Sequence, residues 1–104
     1  MIIYVDIDET ICETPENRDY SKAVPIKKNI EKINKLFSEG HTIVYWTARG
    51  SVTGIDWREV TETQFQEWGV KCHEIKFQKP SYDLFICDKA MNSYEFFMKD
   101  DTRR

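Results

Sequence analysis

Asp6 and Asp8 stand two residues apart, directly after the run Ile2-Ile3-Tyr4-Val5. A short run of β-branched and aromatic residues predicts a fully buried strand. Two carboxylates then share the carboxyl end of that strand, where open parallel α/β sheets bind their ligands. Close carboxylates repel, and a divalent cation is the usual remedy. The stretch Asp6-Ile7-Asp8-Glu9-Thr10 therefore suggests a magnesium-bound carboxylate nucleophile acting on a phosphate. Other polar residues stand where further strands are expected to end: Thr47 and Asp88 each follow an apolar run, and Lys79 precedes the last one. In a parallel sheet all of them converge on one rim.

The elements that must position these residues are legible as periodic patterns. Residues 11–24 are polar and irregular and read as a long loop above the strand end. Pro25 suits the first position of a helix. Ile26, Ile30, Ile33 and Leu36 or Phe37 give that helix an apolar stripe, and Gly40 is its expected cap. Residues 41–46 predict a second buried strand, and residues 50–54 a loop. Asp56 with Glu59 has the spacing of a helix start. Trp57, Val60, Phe65 and Trp68 form a second helical stripe, closed by Gly69. Residues 70–77 read as a weaker third strand and 82–87 as a fourth. Residues 92–99 predict a short last helix, with 100–104 as a frayed end. The alternation implies an α/β fold, a parallel sheet of about four strands with flanking helices.

Composition narrows the class. A chain of 104 residues is expected to form one domain, residues 1–104. The net charge of −3 supplies no overall positive field for nucleic acid or an anionic membrane. No stretch approaches the apolar length of a membrane span, and the amino terminus lacks the basic start of a signal peptide. Cys12, Cys72 and Cys87 form no Cys-x-x-Cys pair, so reduced thiols in a cytoplasmic protein are expected rather than a zinc site or disulfides.

In these motifs the chain resembles the haloacid dehalogenase (HAD) superfamily of phosphotransferases. Asp6-Ile-Asp-Glu-Thr10 is similar to its first motif, Thr47 in Tyr-Trp-Thr-Ala-Arg-Gly to the second, Lys79 to the third, and Asp88 after Leu84-Phe85-Ile86 to the fourth. The resemblance spans nearly the whole chain, with the motifs in order. It implies a three-layer, Rossmann-like fold and a magnesium-dependent phosphomonoester hydrolase. Asp6 would be the nucleophile that becomes an aspartyl-phosphate. Asp8 would act as general acid and then base, and give its backbone carbonyl to the metal. Asp6 and Asp88 would supply the metal's carboxylates. Thr47 and Lys79 would hold the phosphoryl group, and Arg49 would touch the substrate. Unit charges ~4 Å apart at an effective dielectric of ~20 repel by about 4 kcal/mol, which is the repulsion a magnesium ion offsets.

Such enzymes usually insert a cap domain, but the two insertion points here hold only residues 11–24 and almost nothing. The resemblance is therefore to the minimal, capless type, and closest in its motifs to small phosphatases of capsule and surface-polysaccharide biosynthesis. It implies a phosphorylated sugar as substrate, with no membrane and no nucleic-acid partner. An open site must be covered by a large substrate or a second subunit. The tail Tyr94-Glu-Phe-Phe97 could serve a homo-oligomer, although closing the chain's own core is the plainer role. Plainer roles exist elsewhere too. Asp6 and Asp8 could start a turn, Thr47 could cap one, Lys79 could be a surface cation, Arg49 could be structural, and Asp88 or Asn92 could cap a helix. Two rival functions remain: a phosphatase of nucleic-acid ends or phosphoproteins, and a non-catalytic magnesium- and phosphate-binding module.

Overall fold

β1 (Ile2–Val5) pairs in parallel with β4 (Thr42–Trp46), and β4 in parallel with β5 (Glu74–Lys76). This computed structural model describes residues 1–102, and side chains as far as Met98. The sheet is open, with the order β1-β4-β5. Its two crossovers carry α1 (Lys27–Ser38) and α2 (Arg58–Trp68). A separate antiparallel pair joins β2 (Cys12–Glu13) to β3 (Val24–Pro25), and α3 (Ser93–Thr102) closes the chain.

The helices form where their stripes allow. Ile30 and Ile33 of α1 are buried, with Leu36 and Phe37 packed beside them. Pro25 is not the first helical residue. It pairs with Cys12 in the β2–β3 ribbon, so Ile26 becomes the N-cap. Asp56 is not the N-cap of α2: that position falls on Trp57, and Asp56 Oδ1, one residue earlier, accepts from the Arg58 amide at 2.9 Å. Gly69 ends it in the left-handed region at φ +69°. The third strand is shorter than expected at its start. The Val70 amide bonds back to the Phe65 carbonyl, and the His73 amide to the Ile43 carbonyl.

Register decides which side chains the helices bury. Ile3, Val5, Ile43, Tyr45 and Ile75 share one face. Val5, Ile43 and Tyr45 are buried in the core with Ile7, Ile11, Ile30, Ile33, Phe65 and Phe97, and Ile3 and Ile75 pack against it, partly buried. The opposite face leaves Ile2 73% and Tyr4 50% exposed. β1 is thus covered on one side rather than both, and the expected third layer does not bury its far side. Phe97 ties α3 into the core, while Asn92 caps that helix through the Tyr94 amide. Arg103 and Arg104, part of the expected frayed end, lie outside the described residues, and helix runs through Thr102.

The expected fourth strand does not form. Residues 82–87 pair with nothing in the sheet, and Leu84 and Ile86 are 74% and 88% exposed. The reason is an anchor. The Lys79 amide donates to the Thr47 carbonyl at 3.0 Å, and the Ser51 hydroxyl donates to the Lys79 carbonyl. The chain is therefore held at the carboxyl end of the sheet. A parallel strand beginning at Tyr82 has to start at the other end, ~17 Å away for a strand of this length. The three steps from Lys79 span at most ~10 Å. Among the described residues, no helix is long and apolar enough to cross a membrane.

Two substitutions separate core from surface here. Ile33→Ala, in the core, is expected to lower stability by ~2–5 kcal/mol. Ile86→Ala is expected to stay within ~0.5 kcal/mol of the parent. Urea unfolding of both variants measures the contrast, and a core-sized loss at Ile86 would show that 82–87 packs as a strand after all.

Candidate functional site

The carboxyl ends of β1 and β4 lie side by side, and each runs into a tight polar loop. After β1, the amides of Thr10 and Ile11 bond to the Ile7 carbonyl, and Glu9 sits at φ +58°. This turn exposes part of the Asp6 and Asp8 side chains while burying Ile7 and Ile11. After β4, the Arg49 amide donates to Thr47 Oγ1 at 3.1 Å. Gly50 then turns at φ +81°, where a Cβ would collide with the Ile55 carbonyl.

Asp6 and Lys79 form the outer part of the site. Lys79 Nζ lies 3.5 Å from Asp6 Oδ2, and the Ile7 amide donates to Asp6 Oδ1 at 2.8 Å. Burial nevertheless pushes the Asp6 carboxyl above its ordinary value of 3.8. Lys79 and the Ile7 amide pull it down, and Asp8 adds to the rise. Asp6 is therefore a carboxylate whose charge is under-compensated.

Asp8 and Arg49 form the inner part. Arg49 Nε donates to Asp8 Oδ2 at 3.1 Å and Nη2 to Oδ1 at 2.9 Å, a bidentate pair. The Arg49 side chain has no exposed surface. Its Nη1 donates to Thr61 Oγ1 at 3.0 Å and to Gln64 Oε1 at 2.7 Å. A weak contact from Nη2 to the Cys12 sulfur at 3.8 Å uses the last donor. The guanidinium also sits 4.9 Å from the Tyr20 ring centre, and Gln64 Nε2 donates to the Tyr20 carbonyl. Thr14 and Cys12 donate to Asp8 Oδ1 from the other side. Burial pushes Asp8 up, but Arg49, Thr14 and Cys12 outweigh it and hold the carboxyl below 3.8. Burial and Asp8 push the Cys12 thiol up to about 12, so it remains a donor.

The expected site residues are thus only partly gathered. Asp6, Asp8, Arg49 and Lys79 meet at one rim. Thr47 is at that rim too, but it is fully buried and its hydroxyl oxygen caps the turn. Arg49 was expected at the substrate, yet all five of its N–H donors face protein atoms. Asp88 is exposed on the unpaired 82–88 segment, beside Cys87. Among the described residues, no three His, Cys, Asp or Glu side chains are grouped closely enough to hold a metal ion. Of the carboxylates expected at the metal, Asp6 and Asp8 stand at the rim, while Asp88 lies on the exposed segment. Thr61, Gln64, Cys12 and Thr14 were not anticipated. Thr61 and Gln64 interrupt the apolar stripe of α2 with buried polar groups, which is the signal that could have found them.

A scan against protein-family models gave no match, and a search of curated proteins gave none. A crystal structure of a structural-genomics target from Vibrio cholerae is similar, with 24% identity and a TM-score of 0.83. The match covers 99% of this chain and 95% of that one. Likeness at that identity establishes a shared fold.

The inner pair makes a pH prediction. A carboxyl whose folded value lies below its unfolded one stabilises the fold above about pH 4, and that contribution is lost as pH falls through the folded value. Thermal melts from pH 7 to 2.5 should show the parent weakening in that range. Arg49→Ala leaves Asp8 buried and unpaired, and should cost ~3–5 kcal/mol at pH 7. Its acid limb should be flat or reversed. An Arg49→Ala melt matching the parent would show that the pair holds nothing together.

Proposed function

We propose that the protein is a phosphomonoester hydrolase of the HAD-like, capless type, acting through an aspartyl-phosphate on a phosphorylated sugar in polysaccharide biosynthesis. The observation that carries this reading is the approach of Lys79 Nζ to within 3.5 Å of Asp6 Oδ2. Residues 73 apart in sequence are joined at the carboxyl rim of a parallel sheet, where such chemistry is housed.

In this reading an Asp6 oxygen attacks phosphorus, the bond to the leaving oxygen breaks, and the leaving group takes the electron pair. Lys79 balances the charge gathering on Asp6 and the phosphoryl oxygens. A water then attacks the aspartyl-phosphate and passes its proton to Asp8, releasing inorganic phosphate and restoring Asp6. The bidentate Arg49 grip aims Asp8 for that second step. Protonation of the leaving oxygen, the other role expected of Asp8, requires that a proton reach it inside this grip. Thr47 contributes a hydrogen bond once its hydroxyl turns toward the phosphate.

Magnesium, when bound, would neutralise the under-compensated Asp6 charge and offset its repulsion of the phosphate. Asp6 and Asp88 would hold it, with the Asp8 carbonyl. Asp88 lies nine Cα–Cα steps beyond Lys79, and an extended stretch of that length spans up to ~30 Å. The unpaired segment therefore has the reach to bring Asp88 in without forming a strand. The free thiols Cys12, Cys72 and Cys87 fit a reducing cytoplasm.

One observation favours a second reading. Both Asp8 oxygens accept hydrogen bonds in the inner cluster, as they would in a domain that binds magnesium and phosphate without turnover. A generic aryl phosphate assay separates the two. Hydrolysis that requires magnesium and is abolished by a chelator is expected of the parent. Asp6→Asn should lose about 10³-fold or more of that rate. Its melting temperature should not fall, because the site disfavours the charge being removed. Parent-like turnover in Asp6→Asn would refute the nucleophile. Tight phosphate binding without turnover in the parent would favour the binding module.

A further inference from the structure

The sheet face turned away from α1 and α2 carries a continuous series of rings and ammonium groups that begins at Asp6. Tyr4 lies two residues before Asp6 on β1, on the same face and about 7 Å along the strand. Trp46 of β4 meets Tyr4 edge to face, with ring centres 6.0 Å apart. Lys76 of β5 pairs with Trp46 in register. Its ammonium donates to the Tyr4 hydroxyl at 3.0 Å and lies 5.4 Å from that ring's centre. Lys79 links the series to the site. Besides its 3.5 Å approach to Asp6, its Nζ lies 5.9 Å from the Trp46 ring and 5.5 Å from the Tyr82 ring. Tyr82 in turn packs against Phe85. Tyr4 and Tyr82 keep about half their surface in solvent.

Folding accounts for these groups only in part: Val44, in register with Tyr4, is buried on this face, yet Tyr4 and Tyr82 stay about half exposed. The core lies on the other face, and Phe97 and Phe65 close it there. The reaction at Asp6 does not use them, Lys79 excepted. Exposed rings joined by cations at the edge of a reactive carboxylate are suited to recognising the part of a substrate that is not transferred.

We propose that this face is the subsite for the alcohol portion of the substrate, and that the alcohol is a sugar ring bearing a second anionic group. The inference rests on the reading of Asp6 as the phosphate site. The faces of Tyr4 and Trp46 carry the negative side of the ring quadrupole and attract the polarised C–H face of a sugar. An ammonium has three N–H donors, and Tyr4 takes one from Lys76, leaving two for an anion. Glu74, two residues back on the same face, is the carboxylate that a second anion must clear. Lys79 sits between the two sub-sites and borders both.

The test is calorimetric titration of full-length Asp6→Asn in magnesium buffer, where bound ester is not consumed. The probes are inorganic phosphate, glucose 1-phosphate, glucose 1,6-bisphosphate and adenosine 3′,5′-bisphosphate. Glucose 1-phosphate should bind about tenfold tighter than phosphate, and the sugar bisphosphate about tenfold tighter again, each step being about 1.4 kcal/mol. Adding Trp46→Leu should remove the first step, and Lys76→Met, at the surface, the second. Neither change should alter the affinity for inorganic phosphate, which also reports that the variants are folded. Equal affinity for phosphate and both sugar esters, or unchanged sugar affinity in both variants, overturns the subsite. Tighter binding of the adenosine bisphosphate than of the sugar bisphosphate overturns the assignment to sugar. If the affinity gradient is found but the parent hydrolyses no sugar phosphate, the subsite stands and the nucleophile reading falls. If hydrolysis is found without the gradient, the reverse holds.

Discussion

The ion pair between Asp8 and Arg49 is the constraint on which the rest of this molecule is arranged. A guanidinium with no exposed surface needs partners for all its donors, because a buried unpaired charge costs several kcal/mol. The chain supplies them from separate places. Asp8 comes from the loop after β1, Cys12 from β2, Thr61 and Gln64 from α2, and the face of Tyr20 from the loop between the two short strands. The pair and its partners therefore tie β1, β4 and α2 together at one point.

That arrangement gives two neighbouring carboxylates opposite characters. Asp8 is over-supplied with donors and held ionised. Asp6, two residues away, has one backbone donor and a lysine at 3.5 Å, and burial still works against its charge. Pairs whose environments push them apart in this way are a mark of acid–base assignments. Here the order is informative. The inner carboxylate is fixed and charged. The outer one keeps an under-compensated charge, and under the proposed function it is the carboxylate that attacks.

The apolar patterns in the sequence were enough to locate β1, β4, α1 and α2, because long stripes of Ile, Val and aromatic residues specify period as well as burial. They were not enough for residues 82–87, whose composition is as strand-like as that of β1. A strand also needs a neighbour within reach, and the Lys79 anchor is a tertiary contact that no local pattern contains. Asp88 was placed at the rim by inheritance from that strand, and it left the rim when the strand did. Arg49 failed differently. Its type and spacing suit a phosphate, but only packing shows that Thr61 and Gln64 face inward and claim its donors. Asp6 and Lys79 were legible, because each follows directly from where its own segment stops.

The open face follows from the same limits. In β1 both parities are apolar: Ile3 and Val5 point into the core, Ile2 and Tyr4 away from it. A strand buried on both faces and a strand buried on one therefore look alike in sequence, and the run was read as the former. With helices packed on one side, Ile2 and Tyr4 remain largely exposed and Trp46 partly so, around the buried Val44. Exposed apolar groups that are not scattered but contiguous, and bordered by cations, mark contact surfaces. Their position makes this more than a general expectation. Lys79 is shared between the ring cluster and Asp6, so anything that settles on the rings changes the electrostatics of the carboxylate beside them. Under the proposed function, recognition and reactivity would be coupled through one ammonium group, that of Lys79.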